Sequence, residues 1–163
     1  MRSSKHASEV IKILFISEAP SSDEKHFYKC NTVLFRTIRA AFEEQFGSFK
    51  TNDLFFDFFK GFGCYVDHLC STPIDKSNRE LRLLQRKQCV ASLAKRLKTY
   101  QPKVMVIIMK EIEAEVKQAI QVANINSIHT IKIAPFPSMS EGNRLSCINV
   151  IKEVLKNSFN SNN

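Results

Sequence analysis

Short apolar runs bounded by breakers alternate along this chain with longer stretches whose apolar residues recur every three or four positions. Four runs, at about 11–17, 62–69, 103–109 and 128–134, are rich in Val, Ile or Phe and read as buried strands. Helical spacing fills the gaps. Residues 31–46 place Leu34, Ile38, Ala41 and Phe42 on one face and stop at Gly47. Residues 78–100 carry Leu81, Leu84, Cys89, Leu93 and Leu97 with Arg or Lys between them, until Pro102 ends the helix. Residues 111–123 and 142–158 give the last two helices. Strands that alternate with helices need right-handed crossovers, so the pattern predicts an α/β fold whose mostly parallel sheet is covered on both faces. The 163 residues show no repeat and no linker and read as one domain, with about eight N-terminal and five C-terminal residues expected to be disordered.

One segment fits neither pattern. Leu54-Phe55-Phe56-Asp57-Phe58-Phe59-Lys60-Gly61-Phe62 is too aromatic to stay in water, which predicts packing over one edge of the sheet. A stacking platform for nucleic-acid bases is the alternative.

Two strand exits match each other. Ile13-Leu14-Phe15-Ile16 runs into Ser17-Glu18-Ala19-Pro20-Ser21-Ser22, and Ile131-Lys132-Ile133-Ala134 runs into Pro135-Phe136-Pro137-Ser138. Ligands of open parallel sheets bind beyond the carboxyl ends of the strands, so these exits predict the two sides of one cleft.

Composition narrows the partners. The net charge is +8, from 24 basic and 16 acidic residues, and such a surface favours polyanions. No stretch approaches the ~20 apolar residues of a membrane span. Met1-Arg2-Ser3-Ser4-Lys5-His6 lacks the apolar core of a signal peptide, which points to the cytoplasm. Cys30, Cys64, Cys70, Cys89 and Cys147 are odd in number and form no C-x-x-C pair, so free buried thiols are expected. No zinc-ligand spacing is visible, and neither a metal nor another cofactor is expected.

Candidate chemistry gathers at the strand exits. Glu18 directly follows the first strand, where a carboxylate can orient a water or stabilise positive charge on a sugar; it can equally be a solvated acid capping the next segment. Lys25-His26-Phe27-Tyr28-Lys29-Cys30-Asn31 combines aromatic, basic and amide groups suited to a planar base, while Asn31 or Thr32 can cap the following helix. Asp67 and His68 end the second strand. Alternation sends them to opposite faces; Asp67 has the better claim on the cleft, and His68 reads as an ordinary hydrogen-bonding group. After the last exit, Ser138, Ser140, Asn143 and Arg144 offer phosphate-type contacts near a helix N-terminus. The basic stretch with Arg79, Arg82, Arg86, Lys87, Lys95, Arg96 and Lys98 reads as a solvated outer face.

These residues together resemble the uracil-DNA glycosylase superfamily. Ser17-Glu18-Ala19-Pro20-Ser21 is similar to the Gly-Glu-Ala-Pro-Gly first motif of its bacterial and archaeal branch. His26-Phe27-Tyr28, Asn31 and Phe35 resemble the loop that stacks the flipped base in the mismatch-directed branch. Val66-Asp67 through Pro73 stands where the family places a strand ending in a uracil-reading amide. Phe136-Pro137-Ser138 stands where it has His-Pro-Ser. The order covers about residues 11–150. The resemblance implies a three-layer αβα sandwich with a central four-stranded, mostly parallel sheet, and a narrow pocket for an extruded base.

The resemblance assigns roles. Glu18 is the catalytic residue. Ser17, Ala19, Phe27, Tyr28, Asn31 and Asp67 hold the base, and Pro135, Phe136, Pro137, Ser138, Asn143 and Arg144 form a DNA-binding loop. The departures bear on the chemistry. Serines replace both glycines of the first motif, and Phe136 replaces a histidine that donates a hydrogen bond to the departing base. Losing one such donor typically costs about 10²–10³ in rate. Asp67 in place of an amide would repel a uracil edge unless protonated or paired. Cys70 and Cys89 resemble the later pair of the family's iron–sulfur branch, but the early pair is missing, so no cluster is expected.

The sequence therefore points to a monomeric protein that recognises a deaminated or damaged DNA base and hydrolyses the N-glycosidic bond if active. A non-enzymatic nucleic-acid or nucleotide binder of the same fold is the alternative. A third reading is a protein acting on a small metabolite, because this scaffold hosts many chemistries.

Overall fold

The computed structural model describes residues 10–138 and 140–160. Four strands, β1 (Ile13–Ser17), β2 (Cys64–His68), β3 (Val104–Ile108) and β4 (Thr130–Ala134), form one sheet in the order β2-β1-β3-β4, and every pair is parallel. The central strands β1 and β3 are buried along their whole length, which is why they read as unbroken apolar runs. Among the described residues six α-helices cover the sheet: α1 (Val33–Phe46), α2 (Asn52–Gly61), α3 (Arg79–Gln88), α4 (Val90–Tyr100), α5 (Glu113–Ala123) and α6 (Glu141–Asn160). The result is the expected three-layer αβα sandwich.

Side-chain parity splits the core in two. Ile13 and Phe15 of β1, with Cys64 and Val66 of β2, pack against α1, α2 and α6. Leu14 and Ile16, with Tyr65, pack against α4 and α5. Successive residues point to opposite faces, and parallel neighbours in register point to the same face. This rule also governs the residues at the strand ends.

Local chemistry sets the helix boundaries. The hydroxyls of Thr32 and Thr51 accept from Phe35 N and Leu54 N, and the Asn78 side chain accepts from Leu81 N, capping α1, α2 and α3. Gly47, at φ +100°, ends α1. Gly63 sits at φ +85° just before β2, where an added Cβ would lie 2.8 Å from Cβ of Lys12; only glycine fits this approach.

The aromatic segment 54–62 lies mainly in α2, beside the edge strand β2. Phe55 and Phe59 are buried among Phe15, Phe35 and Phe42, so one face of the segment is core, while Leu54 and Phe58 stay exposed.

Three sequence expectations need correction. The stretch 78–100 is not one helix but α3 and α4, which meet at Cys89. Nor is its basic face wholly solvated: Arg82, Arg86 and Arg96 turn inward, while Leu81, Leu83 and Leu84 are exposed. The buried carboxylate of Glu18 and the partly buried one of Asp67, at the carboxyl ends of β1 and β2, recruit the arginines, and the leucines occupy what is left. Cys70 and Cys89 are not free thiols but a disulfide, with Cα atoms 5.2 Å apart; Cys30, Cys64 and Cys147 are free. Spacing along the chain could not show that the turn after β2 returns to the α3–α4 junction.

The expected disorder of residues 1–8 and 161–163 lies outside the described residues, whereas Phe159 and Asn160 belong to α6. Among the described residues, no helix is long and apolar enough to cross a membrane.

Candidate functional site

Parity carries past the ends of β1 and β2 and sorts the polar residues there. Ser17 is in register with His68, on the face of α1 and α2. Glu18 and Asp67 belong to the opposite face, that of α3 and α4. The two strands therefore present a neutral hydrogen-bonding pair on one side and two carboxylates on the other.

On the first side a cavity of about 280 Å³ opens at the carboxyl edge of the sheet. The β1 exit supplies Ser17, Ala19, Pro20 and Ser21, β2 supplies His68, and the β4 exit supplies Phe136 and Ser138. The rest of the wall includes Lys25, His26 and Phe27, the first turn of α1 with Arg36, and Lys76. Among the described residues its wall contains three cationic side chains, Lys25, Arg36 and Lys76, and no carboxylate. The α1 N-terminus adds the positive end of a 14-residue helix. Such surroundings favour an anion. The volume lies just below the roughly 300–1,000 Å³ usual for small-ligand pockets, which suits one compact group rather than a large cofactor.

At the base of the cavity, Ser17 Oγ lies 2.6 Å from His68 Nδ1. Burial lowers the imidazole pKa to about 4; Asp67 opposes that shift, while Arg96 and His26 add to it. His68 is thus neutral at pH 7. Its backbone is fixed on both sides, with its N–H donated to Asp67 Oδ1 at 2.7 Å and its carbonyl accepting from Arg96 Nη1 at 2.9 Å.

On the opposite face Glu18 is 3% exposed and fully engaged. Arg82 donates Nε to Oε2 at 2.8 Å and Nη2 to Oε1 at 2.6 Å; Arg86 donates Nε to Oε2 at 2.6 Å. Burial alone would raise the carboxyl pKa, but the hydrogen bonds and charges of the two arginines outweigh it and hold the group below its usual value. Asp67 is also bonded on this face: its Oδ2 accepts from Arg96 Nη1 at 2.6 Å and from Tyr100 Oη at 2.7 Å.

Of the residues singled out in the sequence, Ser17, Ala19, Phe27, Phe136 and Ser138 meet in the cavity wall. Glu18, Tyr28, Asn31, Asp67, Pro135, Pro137, Asn143 and Arg144 are not part of it. The expectation that Asp67 rather than His68 faces the cleft is reversed. The alternation is as read, but the register of β2 against β1 places His68 beside Ser17. Tyr28 is packed on Phe27, Phe56 and Tyr65, and its hydroxyl accepts from Val66 N at 2.9 Å, closing part of the open edge of β2. Phe27 borders the cavity but is 2% exposed, with its ring against Phe35, Phe56 and Phe59.

The remaining residues serve their own loops. Asn31 Nδ2 donates to Glu24 O at 2.9 Å. Asn143 contributes its backbone N–H to the Ser140 hydroxyl at 3.0 Å, and Arg144 pairs with Glu141 at 3.3 Å. Sequence reasoning passed over Arg36 and Lys76, and it ranked His68 below Asp67. Arg36 follows the Thr32 cap by one helical turn and was legible as a residue of that end; nothing near Lys76 signals its place.

Neither protein-family models nor curated proteins yield a match to the chain. Among the described residues no group of three or more His, Cys, Asp or Glu is placed to hold a metal ion.

Proposed function

We propose that this protein binds nucleic acid, seating a phosphate of the strand in the cleft at the carboxyl edge of its sheet. One observation carries the reading: the cavity wall holds Lys25, Arg36 and Lys76 and, among the described residues, no carboxylate. The net charge of +8 supports it, since a basic surface gathers polyanions and releases their counterions. Phosphate contacts position a strand without reading its sequence, so this arrangement implies binding with little base preference.

Base excision is the second reading, and it rests on the place of Glu18 in the chain, since its carboxylate lies on the face opposite the cavity. The carboxylate lies at the exit of β1, directly before the cavity residues Ala19, Pro20 and Ser21. To orient a water there, Glu18 must leave Arg82 and Arg86, so a conformational change has to precede chemistry.

Fluorescence anisotropy of a labelled oligonucleotide, titrated at several salt concentrations, tests the first reading. Affinity that falls with salt and weakens in a Lys25→Ala/Arg36→Ala/Lys76→Ala variant is expected. Salt-independent binding, or a triple variant that binds like the parent, overturns it. Release of uracil, hypoxanthine, xanthine or mispaired thymine from the same oligonucleotides separates the two readings.

A further inference from the structure

We propose that Ser17 and His68 form a nucleophile–base pair at the base of the cleft, competent to hydrolyse an organic phosphate ester. The choice of a phosphate ester rests on the anion-binding reading of the cleft; the pairing of nucleophile and base does not.

Three observations converge on these two residues. Their side chains are joined at 2.6 Å, within the distance over which a hydroxyl proton passes to an imidazole. Both line the 280 Å³ cavity, so the pair opens onto a space that a substrate can enter. The groups around that space suit developing negative charge: Lys25, Arg36, Lys76 and the N-terminus of α1. A Ser–His hydrogen bond sealed inside a core would meet only the first condition.

The fold holds the pair rigidly. Ser17 and His68 are register partners on adjacent parallel strands, so the sheet itself fixes their separation. Ser17 O accepts from Leu69 N at 2.8 Å and Glu18 O from Cys70 N at 2.9 Å, extending the pairing beyond the strands. With its proton on Nε2, the His68 ring presents Nδ1 as the acceptor for Ser17 O–H. A neutral imidazole at pH 7 is the form that accepts a proton.

The reaction balances with water alone. The Ser17 hydroxyl proton passes to His68 Nδ1 as Oγ bonds to phosphorus. The ester P–O bond breaks, and the leaving alkoxide takes the proton from Nδ1. A water then gives a proton to His68 and attacks phosphorus. The Oγ–P bond breaks, Ser17 recovers the proton, and an alcohol and a phosphate leave.

A fluorophosphonate probe reports on the nucleophile directly, because attack by Oγ displaces fluoride and leaves a phosphonyl group on serine. The expected result is a single adduct mapped by peptide mass spectrometry to Ser17 of the native protein, absent from Ser17→Ala. Labelling should be slower by about 10²-fold or more in His68→Gln. Circular dichroism and the urea midpoint establish that each variant folds. Should His68→Gln not fold, the labelling rate of the parent protein against pH is the second measurement. A fall in rate as the pH drops toward 4 supports the pair, and a flat profile overturns it. No adduct on Ser17 in the folded parent overturns the proposal, as does an unchanged rate in folded His68→Gln. Oligonucleotide binding measured on the same samples separates the two readings. Binding without labelling leaves the proposed function standing, and labelling without binding removes it.

Discussion

Arg86 donates its Nε to Oε2 of Glu18 at 2.6 Å, and both side chains are almost wholly buried, at 7% and 3% exposure. Arg82 takes up both carboxylate oxygens from the side of α3 nearer solvent. The helix is thereby inverted: arginines face the protein body, while Leu81 and Leu84 face outward. Polar bonds to one glutamate, more than apolar burial, dock α3 against the sheet.

A buried carboxylate so placed is dangerous to remove. Truncating one partner of a buried ion pair strands the other's charge, at a typical cost of about 3–5 kcal/mol, whereas replacing all the partners by apolar residues is often neutral. Glu18→Ala should therefore lose about that much stability in urea unfolding. A Glu18→Leu/Arg82→Met/Arg86→Met variant should lose clearly less. Equal losses would show that α3 is held by other contacts. Any activity assay on Glu18→Ala has to be read beside its unfolding curve.

The cleft makes a separate electrostatic prediction. Each lysine or arginine that neutralises a phosphate contributes close to one unit to the slope of log affinity against log salt. Because Lys25, Arg36 and Lys76 surround one phosphate, Lys25→Ala/Arg36→Ala/Lys76→Ala should flatten the slope by about one in all, with each single variant weakening binding by less. Arg79→Ala, on α3 and outside the cavity wall, serves as the control and should leave it unchanged. An equal effect at Arg79 would place the strand over the whole basic surface instead of the cleft.

Much of this architecture was legible in advance because buried parallel strands and amphipathic helices leave periodic marks. The runs around Ile13–Ser17 and Val104–Ile108 could be read because central strands tolerate few polar residues. The cleft's position followed from the strand exits, and Ser17, Ala19, Phe136 and Ser138 were found on that logic. The inner life of the site was less visible. Whether Asp67 or His68 faces the cleft depends on the register of β2 against β1, which the sequence of one strand does not encode. The inward turn of Arg82, Arg86 and Arg96 depends on carboxylates 29 to 68 positions earlier in the chain. A run of basic residues looks the same whether it meets water or a buried acid.

The imidazole of His68 ties stability to pH. Its pKa is about 4 in the folded protein against an ordinary 6.5, lowered by burial, opposed by Asp67, and lowered further by Arg96 and His26. The unfolded chain thus binds the proton more readily than the folded one, and stability falls as pH drops from about 6.5 to about 4. The full effect is of order 3 kcal/mol. Glu18, whose carboxyl pKa is lowered on folding, costs stability only further down, as pH falls below its ordinary 4.5. Unfolding free energy measured between pH 7 and 4 should decline in the parent protein. His68→Gln should flatten that decline while leaving the loss at lower pH. A decline of equal steepness in the variant would assign the effect to another group.

The disulfide predicts a redox-dependent stiffness in one part of the chain. Cys70 follows β2 and Cys89 joins α3 to α4, so the bond closes a loop across a sequence separation of 19 that contains all of α3. In the chain-entropy account, opening a loop of that length removes about 3 kcal/mol of stability. The effect should be local, because α3 has few apolar anchors of its own and Arg86 is its one buried residue. Reduction, or a Cys70→Ser/Cys89→Ser variant, should speed amide hydrogen exchange across residues 71–88 more than in β1 and β3. The other thiols provide an internal check. Burial pushes the Cys147 thiol up to about 12 and that of Cys64 higher still, whereas Cys30 is only partly buried. In the oxidised native protein iodoacetamide should therefore modify Cys30 first, with Cys64 and Cys147 reacting only on unfolding. Uniformly faster exchange after reduction would mean that the disulfide supports the whole domain, and unchanged exchange would mean that the bonds to Glu18 suffice to hold α3.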